Sequence, residues 1–203
     1  PGGTVVPATA SIQRKQNKLD DALASVEKPS ELAPEEPALY QTRGEIYRAQ
    51  DKLDAYGIRF HPGLNEELAV TGIRGTQELS WFGASQYQGV FGLWYGKGVG
   101  VDRACEALKM GNFEGTSAHG GFLALAGDDH GGKSSSTAHQ SEHTLIAAFL
   151  PILYPSTIAE ILEFGIYGWA LSRYSGLYVS LKWITDTLDL SSSVELPDYR
   201  RPL

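Results

Sequence analysis

The residues best suited to chemistry lie in one polar segment, AGDDHGGKSSSTAHQSEH, residues 126–143. It follows an apolar run at residues 121–126, and a strand that ends in such a loop delivers ligand-binding groups to the carboxyl edge of a sheet. Asp128 and Asp129 are suited to orient hydrogen-bond donors there. The donors that fit a ligand carboxylate or carbonyl are His130, Lys133, Ser134 and Ser135.

Two histidines near the end of this segment raise the question of a metal site. His139 and His143 are four residues apart, the spacing that places two imidazoles on one face of a helix. HQSEH is nevertheless not the HExxH motif, because Glu142 adjoins the second histidine rather than the first. We therefore expect no transition-metal site here.

A second glycine-rich stretch, YGKGVGVDR at residues 95–103, follows a predicted strand. Its glycines would allow backbone amides to approach a ligand, but it is neither the GxGxxG dinucleotide-binding motif nor a Walker loop. A simple strand-to-helix connection with Lys97 in solvent is the alternative interpretation. The sequence also contains no GxSxG motif, which argues against a serine hydrolase.

A pair of glutamates, Glu66 and Glu67, opens a predicted helix in PGLNEELAVTGIRG, residues 62–75. A carboxyl group in such a position can act as a proton donor or acceptor toward a ligand. On the residues alone, both glutamates are better explained as acidic first-turn residues that the helix dipole favours.

Together the segments FHPGLNEELAVTGIRGTQ, VFGLWYGKGVGVDR and AGDDHGGKSSSTAHQSEH resemble one protein family. This is the thiamine-diphosphate-dependent 2-oxoacid:ferredoxin oxidoreductases, particularly the large fused indolepyruvate:ferredoxin oxidoreductases. The resemblance covers roughly residues 44–190 and implies the pyrimidine-binding domain of such an enzyme.

The resemblance also implies roles for individual residues. A glutamate bonded to N1′ of the aminopyrimidine shares a proton with the ring, and the family pattern assigns this role to Glu66 rather than Glu67. The residues that would contact the cofactor are Glu66, Tyr95, Gly96, Lys97, Asp128 and Asp129. The residues that would contact the 2-oxoacid are His130, Lys133, Ser134 and Ser135.

The whole enzyme that the resemblance implies would decarboxylate an indolepyruvate-like 2-oxoacid, reduce iron–sulfur clusters and ferredoxin, and release an acyl-CoA. The pyrophosphate and magnesium of thiamine diphosphate require a Gly-Asp-Gly motif, which this sequence lacks. We therefore expect the active site to form with a pyrophosphate-binding domain or subunit, and the clusters and coenzyme A to bind elsewhere in the complex. The alternative is a non-catalytic assembly or binding subunit that retains the fold.

The elements that must position these residues follow a βα alternation. Strands are predicted at residues 58–61, 89–94, 121–126, 152–154 and 177–184. Helices are predicted at residues 65–83, 102–111, 141–150 and 157–172, the last with a capping box at Thr157 and Glu160. This order predicts an α/β fold with a mainly parallel sheet and helices on both faces.

The N-terminal region has a different character. Residues 12–27 have a weak helical pattern, and the proline- and glutamate-rich residues 28–37 read as a solvated linker. We therefore expect an irregular helical segment with a linker at residues 1–43 and the α/β domain at residues 44–203. Pro1-Gly2-Gly3 is the only candidate for the family's first turn, so this region departs from the family pattern.

Composition narrows the possible partners. The net charge of −7 argues against nucleic-acid binding, and the single cysteine, Cys105, excludes an iron–sulfur cluster held by this chain alone. No apolar run approaches the roughly 20 residues that span a bilayer, and no leader opens the sequence. We therefore expect a cytoplasmic protein without a membrane partner.

Overall fold

The structure is a computed structural model that describes residue 53 and residues 55–61, 63–83, 85–133 and 135–195. The chain divides into two compact units, Pro1–Gly63 and Leu64–Leu203. The expectations for residues 1–43 lie outside the described residues, and the elements below all belong to the second unit.

The second unit is built on a four-stranded parallel sheet. Its strands are β1 (Phe91–Lys97), β2 (Gly121–Asp128), β3 (Ile152–Leu153) and β4 (Tyr178–Ile184), in the order β1-β2-β4-β3. Its helices are α1 (Glu66–Gln77), α2 (Gly98–Glu114), α3 (Glu142–Ala147), α4 (Ile158–Ser175) and α5 (Thr185–Leu188), and a 3-10 turn spans Leu79–Trp81. The predicted α/β fold with a parallel sheet is confirmed.

Helices cover both faces of the sheet. β2 is buried along nearly its whole length, as expected of a central strand in a parallel sheet. Alternate residues of β2 face opposite layers: Phe122 and Ala124 enter a core with α1, α2 and α3, while Leu123 and Leu125 enter a core with α4. Since side chains alternate along a strand, the register of β2 fixes which polar residues lie at the end of each layer.

The helix termini show why these segments begin where they do. The Asn65 side chain caps α1 by accepting the Leu68 N–H at 2.8 Å. Thr157 Oγ1 accepts the Glu160 N–H at 3.2 Å, as predicted, while the Glu160 carboxylate accepts the Ser156 N–H at 2.7 Å. The predicted capping box is therefore present, shifted by one residue on its reciprocal side.

The structure differs from the sequence-based prediction in three segments. Residues 58–61 form no strand, because Gly57 turns the chain at a φ of 65° and the next two residues are exposed rather than hydrogen-bonded in a ladder. The helix predicted at residues 65–83 ends at Gln77, where a 3-10 turn replaces it. The glycine-rich stretch at residues 95–103 is not a loop, since Lys97 ends β1 and α2 begins at Gly98.

Within the described part of the chain, no helix is both long and apolar enough to cross a membrane.

Candidate functional site

The first turn of α2 lies at the carboxyl edge of the sheet, directly after β1. Gly98 and Gly100 are buried in this turn because side chains press against the backbone from two sides. A Cβ at Gly98 would lie 2.0 Å from Nδ1 of His139, and a Cβ at Gly100 would lie 2.7 Å from Cγ of Glu66. His139 and Glu66 therefore flank the same turn.

Glu66 occupies the first helical position of α1, next to the Asn65 cap. Its carbonyl oxygen accepts the Trp94 indole N–H at 3.2 Å, which ties α1 to β1. Its side chain is 39% exposed, with Oε2 3.9 Å from Nη1 of Arg103. The backbone of Glu66 is thus anchored, while its side chain is partly exposed.

Asp128 ends β2 as a buried carboxylate. Its Oδ2 accepts the Ser141 N–H at 2.8 Å and its Oδ1 accepts the Ser141 hydroxyl at 2.5 Å. Nζ of Lys182, on the neighbouring strand β4, lies 3.2 Å from Oδ2. Through these contacts Asp128 connects the end of β2 to Ser141 and to β4.

Lys182 is 1% exposed, which is unusual for an ammonium group. Besides Asp128, it donates to Oε1 of Glu142 on α3, and it lies 4.7 Å from the centre of the Tyr154 ring. Burial acts to raise the pKa of Glu142, but the hydrogen bond from Lys182, a backbone hydrogen bond and the Lys182 charge together lower the pKa below its ordinary value. Sequence reasoning missed Lys182, although a lysine inside a buried strand was a visible signal.

The loop after β2 is held by backbone hydrogen bonds. The carbonyl oxygen of Asp129 accepts the N–H groups of Gly132 at 3.1 Å and His139 at 3.3 Å, and its carboxylate accepts the Lys133 N–H at 3.0 Å. Nδ1 of His130 lies 3.0 Å from the carbonyl oxygen of His139. The two ends of the loop are therefore drawn together around Asp129, which is itself buried.

The predicted donors of this loop differ in their surroundings. His130 and Lys133 are exposed, and Nζ of Lys133 is 3.8 Å from Oδ1 of Asp186. Ser135 is half-buried, and Ser134 lies outside the described residues. His130 and Lys133 thus present donors to solvent at the carboxyl edge of the sheet.

The residues predicted at the end of β1 face different directions. Tyr95 is half exposed and alternates with Trp94, which is buried against the α1 and α2 side. A Cβ at Gly96 would lie 2.7 Å from the Trp94 ring, so this glycine allows that ring to lie flat along the strand. Lys97 is exposed at the last position of β1.

His139 makes a contact that the sequence did not indicate. Its Nε2 lies 2.8 Å from Oδ2 of Asp102, and Oδ1 of the same carboxylate accepts the Thr144 hydroxyl at 2.8 Å. Burial acts to raise the pKa of Asp102, but hydrogen bonds from His139 and Thr144 lower it below its ordinary value. No local motif links residues 37 positions apart, so only the fold reveals this pair.

The two histidines considered for metal binding are separated by the start of α3. His143 lies in that helix and is exposed, whereas His139 precedes it. Over the residues described, no group of three or more histidine, cysteine, aspartate or glutamate side chains is arranged to hold a metal ion.

Two curated proteins are similar to this chain, and both are named indolepyruvate oxidoreductase subunit IorA. The one from Methanothermobacter thermautotrophicus is 29% identical over 145 residues, and the one from Methanothermobacter marburgensis is 28% identical over 144 residues. Each alignment covers 71% of this chain but only 22% of the relative, so the chain spans about a fifth of their length. No family model and no solved structure matches the chain.

Proposed function

We propose that this chain is the pyrimidine-binding domain of a thiamine-diphosphate-dependent oxidoreductase that acts on an indolepyruvate-like 2-oxoacid. The similarity to two oxidoreductase subunits supports this assignment, as does the parallel α/β fold. The observation that carries it is Glu66, which begins α1, packs against the first turn of α2 and keeps its side chain partly exposed.

The residues present suit one end of the cofactor. A carboxyl group that shares a proton with N1′ of the aminopyrimidine must be positioned and remain accessible, and Glu66 has an anchored backbone and a partly exposed side chain. The described residues do not suit the diphosphate end, since they contain neither a metal-ligand cluster nor a Gly-Asp-Gly motif. We infer that a pyrophosphate-binding domain or subunit holds that end together with magnesium.

Thiamine diphosphate, when bound, supplies the nucleophilic carbon and the electron sink for decarboxylation of the 2-oxoacid. In this proposal Glu66 holds the proton at N1′ that keeps the aminopyrimidine in its active tautomer. Tyr95, Gly96 and Lys97 line the cofactor ring. Asp128 and Asp129 hold the loop that approaches it.

The 2-oxoacid would meet the exposed donors of the loop after β2. His130 and Lys133 are exposed in this loop, and Ser134 and Ser135 belong to the same loop. An ammonium group and an imidazole stabilise a carboxylate by charge-assisted hydrogen bonds. The iron–sulfur clusters, ferredoxin and coenzyme A would bind other parts of the complex.

The alternative function is a non-catalytic assembly subunit that keeps the fold. The two proposals differ at Glu66: a catalytic domain needs its carboxylate, whereas an assembly subunit needs it only as an acidic residue in the first turn of α1.

The test is Glu66→Gln in the assembled enzyme, with Glu67→Gln as the matched control one position along the same helix. An amide cannot exchange the proton at N1′, so we expect Glu66→Gln to abolish 2-oxoacid-dependent dye reduction and Glu67→Gln to retain most of it. Full activity of the Glu66 variant would refute the catalytic assignment and favour the assembly subunit.

A further inference from the structure

We propose that His139 is a positioning residue that fastens the loop after β2 to the first turn of α2 and thereby sets the place of Glu66. Its effect on catalysis rests on the proposed function, while the fastening itself does not.

The His139 ring contacts α2 at two places. The ring, whose side chain is 12% exposed, bonds through Nε2 to Asp102, and it covers the Cα of Gly98 so closely that no Cβ would fit. Asp102 is held in turn by Thr144 of α3. The imidazole is therefore held in position, and its Nε2 is the donor because the Asp102 carboxylate can only accept.

The backbone of His139 is hydrogen-bonded to the loop after β2. Its backbone N–H donates to the Asp129 carbonyl at 3.3 Å, and its own carbonyl lies 3.0 Å from Nδ1 of His130. The opposite ring atom, Nδ1, is buried without a hydrogen-bond partner and lies 3.6 Å from Oδ1 of Asp128. Nδ1 therefore contributes no hydrogen bond to the position of the ring, which rests on the contact of Nε2 with Asp102.

The first turn of α2 also lies against Glu66. Gly100 lies two residues after Gly98 in the same helical turn, and a Cβ there would lie 2.7 Å from Cγ of Glu66. Arg103 places Nη1 3.9 Å from Oε2 of Glu66. The turn therefore has His139 on one side and Glu66 on the other. Any shift of the turn that follows loss of His139 therefore moves the groups that surround the Glu66 carboxylate.

Hydrogen exchange on the full 203-residue chain tests the fastening. In His139→Ala, and in Asp102→Ala, which removes the same bond from an exposed helical position, we expect amides in residues 98–103 and 129–141 to exchange about tenfold faster. His139→Gln, which restores a donor toward Asp102, should recover most of the protection. His143→Ala is the matched control and should exchange as the parent does.

Unchanged exchange in residues 98–103 in both alanine variants would overturn the proposal, as would failure of His139→Gln to recover protection. In the assembled enzyme, His139→Ala should lower kcat, with recovery in His139→Gln. If the exchange result holds while Glu66→Gln stays fully active, the fastening is correct and the proposed reaction is wrong. If Glu66→Gln is inactive while exchange is unchanged, the reaction stands and the fastening is wrong.

Discussion

Among single residues, the buried charges of Asp128 on β2 and Lys182 on β4 hold the start of the polar segment in place. Phe122, Ala124, Ala126 and Asp128 share one face of β2, and Tyr178, Ser180 and Lys182 share the matching face of β4. The apolar layer between the sheet and α2 thus ends in an ion pair at the carboxyl edge. Because each charge is shielded from water, each depends on the other for its stability.

We expect Lys182→Met to destabilise the protein by about 3–5 kcal/mol, because it leaves Asp128 buried without its cation. Lys133→Met, which affects only an exposed pair with Asp186, should cost about 1 kcal/mol or less. Urea unfolding of both variants at neutral pH gives the comparison. Equal midpoints would mean that Lys182 contributes no more than a surface lysine.

At the scale of elements, the turn after α3 contains the one described non-glycine residue with a positive φ, Phe149 at 60°. Asn112 holds the turn by donating to the carbonyl oxygens of Ala148 at 3.2 Å and Phe149 at 2.9 Å. The Phe149 ring is exposed and touches Phe113 edge-on. The backbone geometry of this turn therefore comes from Asn112 rather than from the aromatic side chain.

Phe149→Gly should accordingly leave stability within about 1 kcal/mol of the parent, because relief of the left-handed conformation offsets the lost exposed contact. Its neighbour Leu150 is buried, and Leu150→Ala should cost about 2–5 kcal/mol. The free energies of unfolding of the two variants provide the measurement. A loss in Phe149→Gly as large as that in Leu150→Ala would show that the ring is part of the core.

Some of these helices and strands could be predicted from the sequence. The apolar run of β2 and the Thr157 cap of α4 are local signals, and both were predicted correctly. The start of α2 was not, because glycines at a helix start carry no local preference for helix and are explained only by Glu66 and His139 packing against them. The pairs His139–Asp102 and Lys182–Asp128 join residues that are far apart in the sequence. The sequence could therefore suggest the polar segment but not the contacts that hold it in place.

At the scale of the whole molecule, the proposed site is incomplete in this chain. The described residues include the carboxylate that we propose for the aminopyrimidine but no metal-ligand cluster for a diphosphate, and the chain spans about a fifth of the relatives it matches. A net charge of −7 adds no general attraction for an anionic ligand.

We therefore expect the isolated chain to bind thiamine diphosphate weakly or not at all, and the complex with its pyrophosphate-binding partner to bind it tightly. Burial of the ring without neutralisation of the diphosphate leaves affinity poor. Calorimetric titration with magnesium present measures both states. Micromolar or tighter binding by the isolated chain would place the diphosphate site within it and contradict a shared active site.

The strand order has a consequence for how a nascent chain acquires this sheet. β4 follows the other three described strands in the sequence, yet it lies between β2 and β3 and pairs with both. Until the ribosome has released residues 178–184, β2 has a vacant edge and the two-residue β3 has no partner in the sheet. Such an open apolar edge is a template for mispairing with other chains. Synthesis of β4 therefore closes this edge of β2 and gives β3 its partner.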